Sequence, residues 1–253
     1  MKWSMVLATS MWLLGLIGIV ACEKPPANPI AQSYNLIFIT VDTLRADHTP
    51  FGGYSRKTMP ATAEFFQDGI NLTQAETVVS LTNPAYASLM TGLYPYHHGV
   101  TKMHRELNDA NKTLSEILRE HGYDTAGFIS SFVLIGRLSG INQGFDLYDD
   151  EISERVYTRE NYERRAAQTI ASVVSWLRKR PRDQKFFLFI HLIDPHGPYD
   201  PPKPYGEAFH SDQSKKISGG VIPPYQKMPY LNDQFVYIDH YDDEIQYVDE
   251  SLK

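Results

Sequence analysis

Cysteine is nearly absent: Cys22 is the only one in 253 residues, so no disulfide can form within the chain. Basic residues are outnumbered, with 24 Lys and Arg against 30 Asp and Glu and a formal net charge of -6. No basic stripe stands out, which argues against nucleic acid as a partner. The long uncharged stretch at the N-terminus, Met5 to Val20, is short for a membrane span and fits the apolar region of a signal peptide. It follows a short positive segment, Met1-Lys2-Trp3-Ser4, and ends in Ile19-Val20-Ala21-Cys22, which reads as a bacterial lipobox. Residues 1–22 are therefore expected to be a lipoprotein signal peptide, cut before Cys22, whose sulfur takes a diacylglycerol. Residues 23–34 then form an extended tether, and residues 35–253 the folded body. The expected location is the cell envelope, lipid-anchored to a bacterial membrane and facing the periplasm or the exterior.

Hydrophobic residues make up 42% and aromatics 12%, enough for a sizeable core. Two near-continuous apolar runs, Asn35 to Asp42 and Phe186 to Ile193, predict central strands buried on both faces. A weaker strand is Thr125 to Ile129. Thr113-Leu114-Ser115-Glu116 is a capping box opening a helix that Gly122 stops, with Leu114, Ile117 and Leu118 on one face. Ala166, Ile170, Val173, Val174 and Leu177 form a core-facing stripe on a helix expected from about Thr158 to Arg180. Residues 200–233 lack periodicity and predict a loop bordering the site; helical spacing returns from about Phe235. Alternation of this kind implies a mostly parallel sheet covered on both faces, with ligands bound beyond the carboxyl ends of its strands. Asp42 and His196 both fall there. His191, inside a strand run, reads as a packed core histidine.

The chemistry concentrates in Ser80-Leu81-Thr82-Asn83-Pro84-Ala85-Tyr86-Ala87-Ser88-Leu89-Met90-Thr91-Gly92-Leu93-Tyr94-Pro95. Pro84 suits a first helical turn and Asn83 an N-cap, placing Thr82 just before a helix start where free N–H groups favour an anion. A hydroxyl there, beside a carboxylate-bound cation, is a candidate nucleophile for an anionic ester.

This segment resembles the sulfatases of the alkaline-phosphatase superfamily, whose Cys-x-Pro-x-Arg signature is followed by Ala-x-Leu-x-Thr-Gly-x-Tyr-Pro. Ala87, Leu89, Thr91, Gly92, Tyr94 and Pro95 match the second part, and His98-Gly99-Val100 follows. Val41-Asp42-Thr43-Leu44-Arg45-Ala46-Asp47-His48 resembles the family's first metal-binding strand and turn. Asp194-Pro195-His196-Gly197-Pro198-Tyr199 resembles its substrate-histidine segment. The resemblance runs from about Tyr34 to Lys253. It implies an alkaline-phosphatase-like three-layer α/β/α sandwich, with a divalent cation (calcium or zinc) on Asp42 and Thr82, Thr82 as nucleophile, and His196 as substrate-binding. The implied partner is a small anionic ester.

The sequence departs from the family at three places. Tyr86 stands at the signature arginine, Thr43 at the second aspartate of the usual pair, and Ile129-Ser130-Ser131-Phe132 at the Lys-x-His segment. Formylglycine cannot form from Thr82. These departures weigh against formylglycine chemistry, and hydrolysis of sulfuric esters is the first expectation on the strength of the resemblance. A phosphodiesterase or phosphonate-monoester hydrolase on the same fold, and a non-catalytic surface lipoprotein, are the alternatives. Family members carry a later Asp-His or Asp-Asn pair followed by glycine, and none follows Asp42 here. The expectation is that a C-terminal part is missing.

Overall fold

In the computed structural model, residues 34–152, 163–218, 222–228 and 231–253 are described. The leader, Cys22 and the tether up to residue 33 lie outside them. Four strands, β1 (Leu36–Val41), β2 (Asp124–Phe128), β3 (Leu147–Asp149) and β4 (Phe186–Leu192), pair in the order β1-β4-β2-β3. Every pairing is parallel, as the alternation of strands and helices predicts. Residues 35–253 form one compact unit.

β4 is buried at all seven positions because it lies between β1 and β2 with helices on both faces. Successive side chains of a strand point to opposite faces, and β4 sorts its residues accordingly. Phe187 and Phe189 join Tyr86, Met90, Leu134 and Ile141 on one side. Phe186, Leu188, Ile190 and Leu192 join Val173, Tyr247 and Val248 on the other. Each such fully buried apolar side chain contributes about 1.5–3 kcal/mol. The first core is roofed by α2 (Thr82–Thr91) and α4 (Leu114–Glu120), the second by α6 (Ala166–Lys179) and α7 (Gln234–Leu252). Short helices α1 (Pro60–Phe65), α3 (Pro95–His98) and α5 (Gly136–Ser139) complete the set.

Several expectations hold. α4 opens with the Thr113–Glu116 capping box, both reciprocal bonds present, and Gly122 follows at φ 76°. α7 starts at Gln234, next to the Phe235 from which helical spacing is expected, and the structure adds its cap: the Asp233 carboxylate accepts from Phe235 N–H and Val236 N–H.

Others need correction. β1 is not buried on both faces: it pairs with β4 alone among the described residues, and Leu36, Ile37 and Ile39 are exposed. An apolar run reports hydrophobicity and not how many neighbours a strand has. Ile117 is likewise exposed instead of sharing the Leu114–Leu118 face. α6 begins at Ala166, with Arg165 still extended at ψ 150°. The buried Asp194 carboxylate accepts the Ala166 N–H at 3.0 Å and so fixes the start; residues 158–162 lie outside the described set. No helix among the described residues is long and apolar enough to cross a membrane.

Candidate active site

The parallel register puts the carboxyl ends of β1 and β4 side by side, and Asp42 N–H extends the ladder to Leu192 O at 2.8 Å. Asp42 follows β1, while Asp194 and His196 follow β4. The helix α2 starts opposite them. Its N-cap is Leu81, in extended conformation, so Thr82 is the first helical residue and not the residue before the helix. Asn83 does not cap: it is buried, and its Oδ1 accepts from His104 N–H at 3.4 Å. Pro84 still sits where a missing N–H leaves no bond unmade.

Thr82 Oγ1 donates to Asp42 Oδ2 at 3.4 Å, so the two residues singled out from sequence do meet. His191, read as a core histidine, is indeed fully buried, yet its Nε2 lies 3.5 Å from the same Asp42 oxygen. It points there because odd positions of β4 face α2, where its ring packs edge-on to Tyr86 at 5.0 Å. Ser130 N–H donates to His191 Nδ1 at 3.4 Å, which places the ring proton on Nε2, toward Asp42. Ser130 is held in turn by bonds to His191 O and Thr169 Oγ1. The signal for His191 was a polar residue in a run of seven buried positions.

Burial pushes the Asp42 carboxyl up, but the approach of His191, the charge of His196 and the Thr82 hydroxyl outweigh it. The carboxyl is left below its ordinary range. Asp42 is thus an anion at neutral pH and a weak proton acceptor. Burial, followed by the Asp42 charge, drives the Tyr86 phenol well up, so this residue brings no charge to the place where the family signature carries arginine.

The turn after Asp42 is strained and firmly held. Thr43 has φ 53°, unusual for a β-branched residue. Tyr241 of α7 fixes it: its hydroxyl donates to Thr43 O at 2.7 Å and accepts from Arg45 N–H at 2.9 Å. α7 does this repeatedly with buried carboxylates. Asp249 accepts from Ala61 N–H, Thr62 N–H and Thr62 Oγ1. Asp243 accepts from Ala208 N–H and Phe209 N–H, Asp239 from Ser211 N–H, and Glu244 from Asp200 N–H. Asp242 binds His48, Tyr54 and Arg56, all at 2.7 Å.

No group of three or more His, Cys, Asp or Glu converges as a cation site among the described residues. Asp42 and Thr82 offer oxygen donors, and the buried His191 Nε2 lies 3.5 Å from Asp42 Oδ2 without a hydrogen-bond partner among the described residues. These residues fall short of the set a divalent cation takes from protein.

A parallel sheet with helices on both faces, and an ionised carboxylate facing a helix-start hydroxyl at its carboxyl edge, defines an α/β protein of the alkaline-phosphatase-like class. The chain belongs to the sulfatase family, whose model matches residues 34–253. It is 25% identical over 206 residues to an N-acetylglucosamine-6-O-sulfatase of Bacteroides thetaiotaomicron, covering 75% of this chain and 35% of that one. Among solved structures it resembles the phosphonate monoester hydrolase of Agrobacterium radiobacter, with TM-score 0.68 and 18% identity over 86% of this chain and 57% of that one. It also resembles a zinc complex of the C-terminal periplasmic domain of EcEptC from Escherichia coli, with TM-score 0.62 and 16% identity over 86% and 57% of the two chains. The chain thus spans about a third of the curated relative and under three fifths of these two structures.

Proposed function

We propose that the protein hydrolyses sulfuric esters with Thr82 as its nucleophile. The observation that carries this reading is the Thr82 hydroxyl directed at the ionised Asp42 across the carboxyl edge of the sheet. Thr82 Oγ attacks sulfur as the S–O bond to the alcohol breaks, and the hydroxyl proton, relayed by way of Asp42 Oδ2 and solvent, ends on the departing alcohol oxygen. Water then hydrolyses the Thr82 sulfate ester, releasing sulfate and restoring the hydroxyl. His196 steadies the anionic group. Asp42, anionic and at the strand end, is the described residue best suited to the divalent cation, calcium or zinc, that the family resemblance implies. A threonine nucleophile without a neighbouring signature arginine also supports a second reading, hydrolysis of phosphonate monoesters or phosphodiesters.

The two are separated by assaying an aryl sulfate, a bis-aryl phosphate and an aryl phosphonate on the same preparation. Turnover of the phosphorus esters alone would replace the first reading by the second. Thr82→Ala should lower kcat about a thousandfold or more with an unchanged circular dichroism spectrum, and Asp42→Asn should lower activity and metal content together. Near-normal rates in Thr82→Ala, with loss in Ser80→Ala, would move the nucleophile to Ser80.

A further inference from the structure

Among the seven buried positions of β4, His191 is the one polar side chain, and the hydrolysis derived from Thr82 and Asp42 leaves it without a role. A buried imidazole is costly unless its nitrogens are met. Nδ1 accepts from Ser130 N–H at 3.4 Å, which leaves the ring proton on Nε2. Nε2 has no hydrogen-bond partner, and Asp42 Oδ2 lies 3.5 Å from it. Thr82 Oγ1 meets the same carboxylate oxygen at 3.4 Å. One oxygen is thus shared by the proposed nucleophile and a buried ring nitrogen. The ring is held in place. Its edge packs on Tyr86, with 5.0 Å between centroids, and the Ser130 hydroxyl donates to His191 O at 2.7 Å. Behind Ser130 the line continues through Thr169 Oγ1 at 2.8 Å to Arg164 Nε at 3.1 Å, and Arg164 pairs with Asp149. Ser130, Thr169 and His191 are all fully buried. So deep a polar line is a liability in an apolar core unless each member is met, and its outcome here is the orientation of one imidazole.

We propose that His191 is a positioning residue for the ester hydrolysis: its Nε2–H steadies Asp42 Oδ2 toward Thr82, so that the hydroxyl proton has an acceptor in place when the ester arrives. This deepens the sulfuric-ester reading and rests on it. Both contacts on Oδ2 are long in the resting chain, and contacts of this kind tighten once substrate is bound. A carboxylate turns about its own side-chain bonds, and the fixed imidazole is the neighbour that opposes this turning. His191 acts through Asp42 and does not touch the ester itself.

Two variants of the full chain separate positioning from packing. His191→Phe keeps an aromatic ring against Tyr86 and removes both nitrogens. His191→Gln gives up the ring and keeps an N–H that reaches the place of Nε2. On the aryl ester that the native chain cleaves, His191→Phe should lower kcat about a hundredfold with KM little changed. His191→Gln should recover about tenfold of that loss. Packing alone demands the reverse order, because glutamine is the poorer fit in an apolar layer. A kcat for His191→Phe at or above that of His191→Gln, in variants with native circular dichroism, would overturn the proposal. Magnetic resonance of the chain carrying isotopically labelled histidine needs neither substrate nor a folded His191 variant. His191 should carry its proton on Nε2, and that proton signal should move upfield in Asp42→Asn, whose side chain is the weaker acceptor. A proton on Nδ1, or a signal indifferent to Asp42→Asn, would also overturn it. A chain that shows both resonance signs but cleaves no ester would refute the hydrolase reading, with the pairing of His191 and Asp42 upheld.

Discussion

Asp242 offers the sharpest test of how the site is held. It is fully buried, and its carboxylate meets His48 Nδ1, the Tyr54 hydroxyl and Arg56 Nη1 at 2.7 Å each. These three partners lie on the stretch that follows Asp42, so the residue ties the strand-end turn to α7. Asp242→Ala removes all three bonds at once. Breaking a buried ion pair costs about 3–5 kcal/mol when the partner is left uncompensated. Arg56 keeps Asp239 at 2.7 Å and its side chain is 24% exposed, which puts the loss at the lower end, about 3 kcal/mol. Asp242→Asn keeps the shape and one acceptor, and should lose about 1–2 kcal/mol. Urea unfolding followed by intrinsic fluorescence measures both. At a slope of about 3 kcal/mol/M the alanine variant should unfold about 1 M earlier. An alanine variant within about 1 kcal/mol of the native chain would refute the reasoning, because α7 would then not anchor that turn.

Gly144 has φ 82°, and a Cβ there would come within 2.3 Å of Glu116 N in the first turn of α4. Gly144→Ala should therefore cost about 3 kcal/mol or more. Gly53→Ala, at φ 81° with nothing within 4 Å, should cost only about 1 kcal/mol; equal losses in the same urea experiment would contradict this. Burial lowers the pKa of His98 from 6.5, with Val100 N–H bonded to its Nδ1. The unfolded chain then binds the extra proton, so this contribution is intact above about pH 6.5 and is lost as pH falls through the lowered value. His98→Asn should flatten the decline in urea midpoint between about pH 7.5 and 5.5, and an unchanged decline would exclude His98 as its source. Labelled palmitate should enter the native chain and not Cys22→Ser when each is expressed in a lipoprotein-processing bacterium; equal labelling would remove the proposed anchor.

What could be read from the chain followed from how local each cause is. The capping box of α4 and the apolar run of β4 are written within a few neighbouring residues, and both stand where expected. The meeting of Asp42 with Thr82 was legible through strand-end and helix-start positions together with the family motifs. β3 was missed because three residues, Leu147 to Asp149, carry too short a pattern to register. The exposed flank of β1 was missed because strand order depends on pairing between distant segments. His191 was assigned to the core on burial alone. Its direction, toward Asp42, depends on register with β1 and on the Ser130 amide, and neither is a property of the run it sits in. The start of α6 was misjudged for a similar reason, since its capping carboxylate comes from Asp194 in another segment.

The hydrogen bonds from α7 carry a consequence for how such a site can change. Asp239, Asp243, Glu244 and Asp249 grip the amides of Ser211, Ala208, Phe209, Asp200, Ala61 and Thr62. An amide is common to every amino acid except proline, so the backbone share of these attachments persists when side chains change, although Thr62 and Ser211 add hydroxyl bonds of their own. Residues facing an incoming ester are thereby uncoupled from those that keep the loops in place. Selection can retune what the protein accepts by point substitutions, and the change that breaks the backbone attachment at all six positions is proline, a residue already abundant beside them at Pro60, Pro201, Pro202 and Pro204.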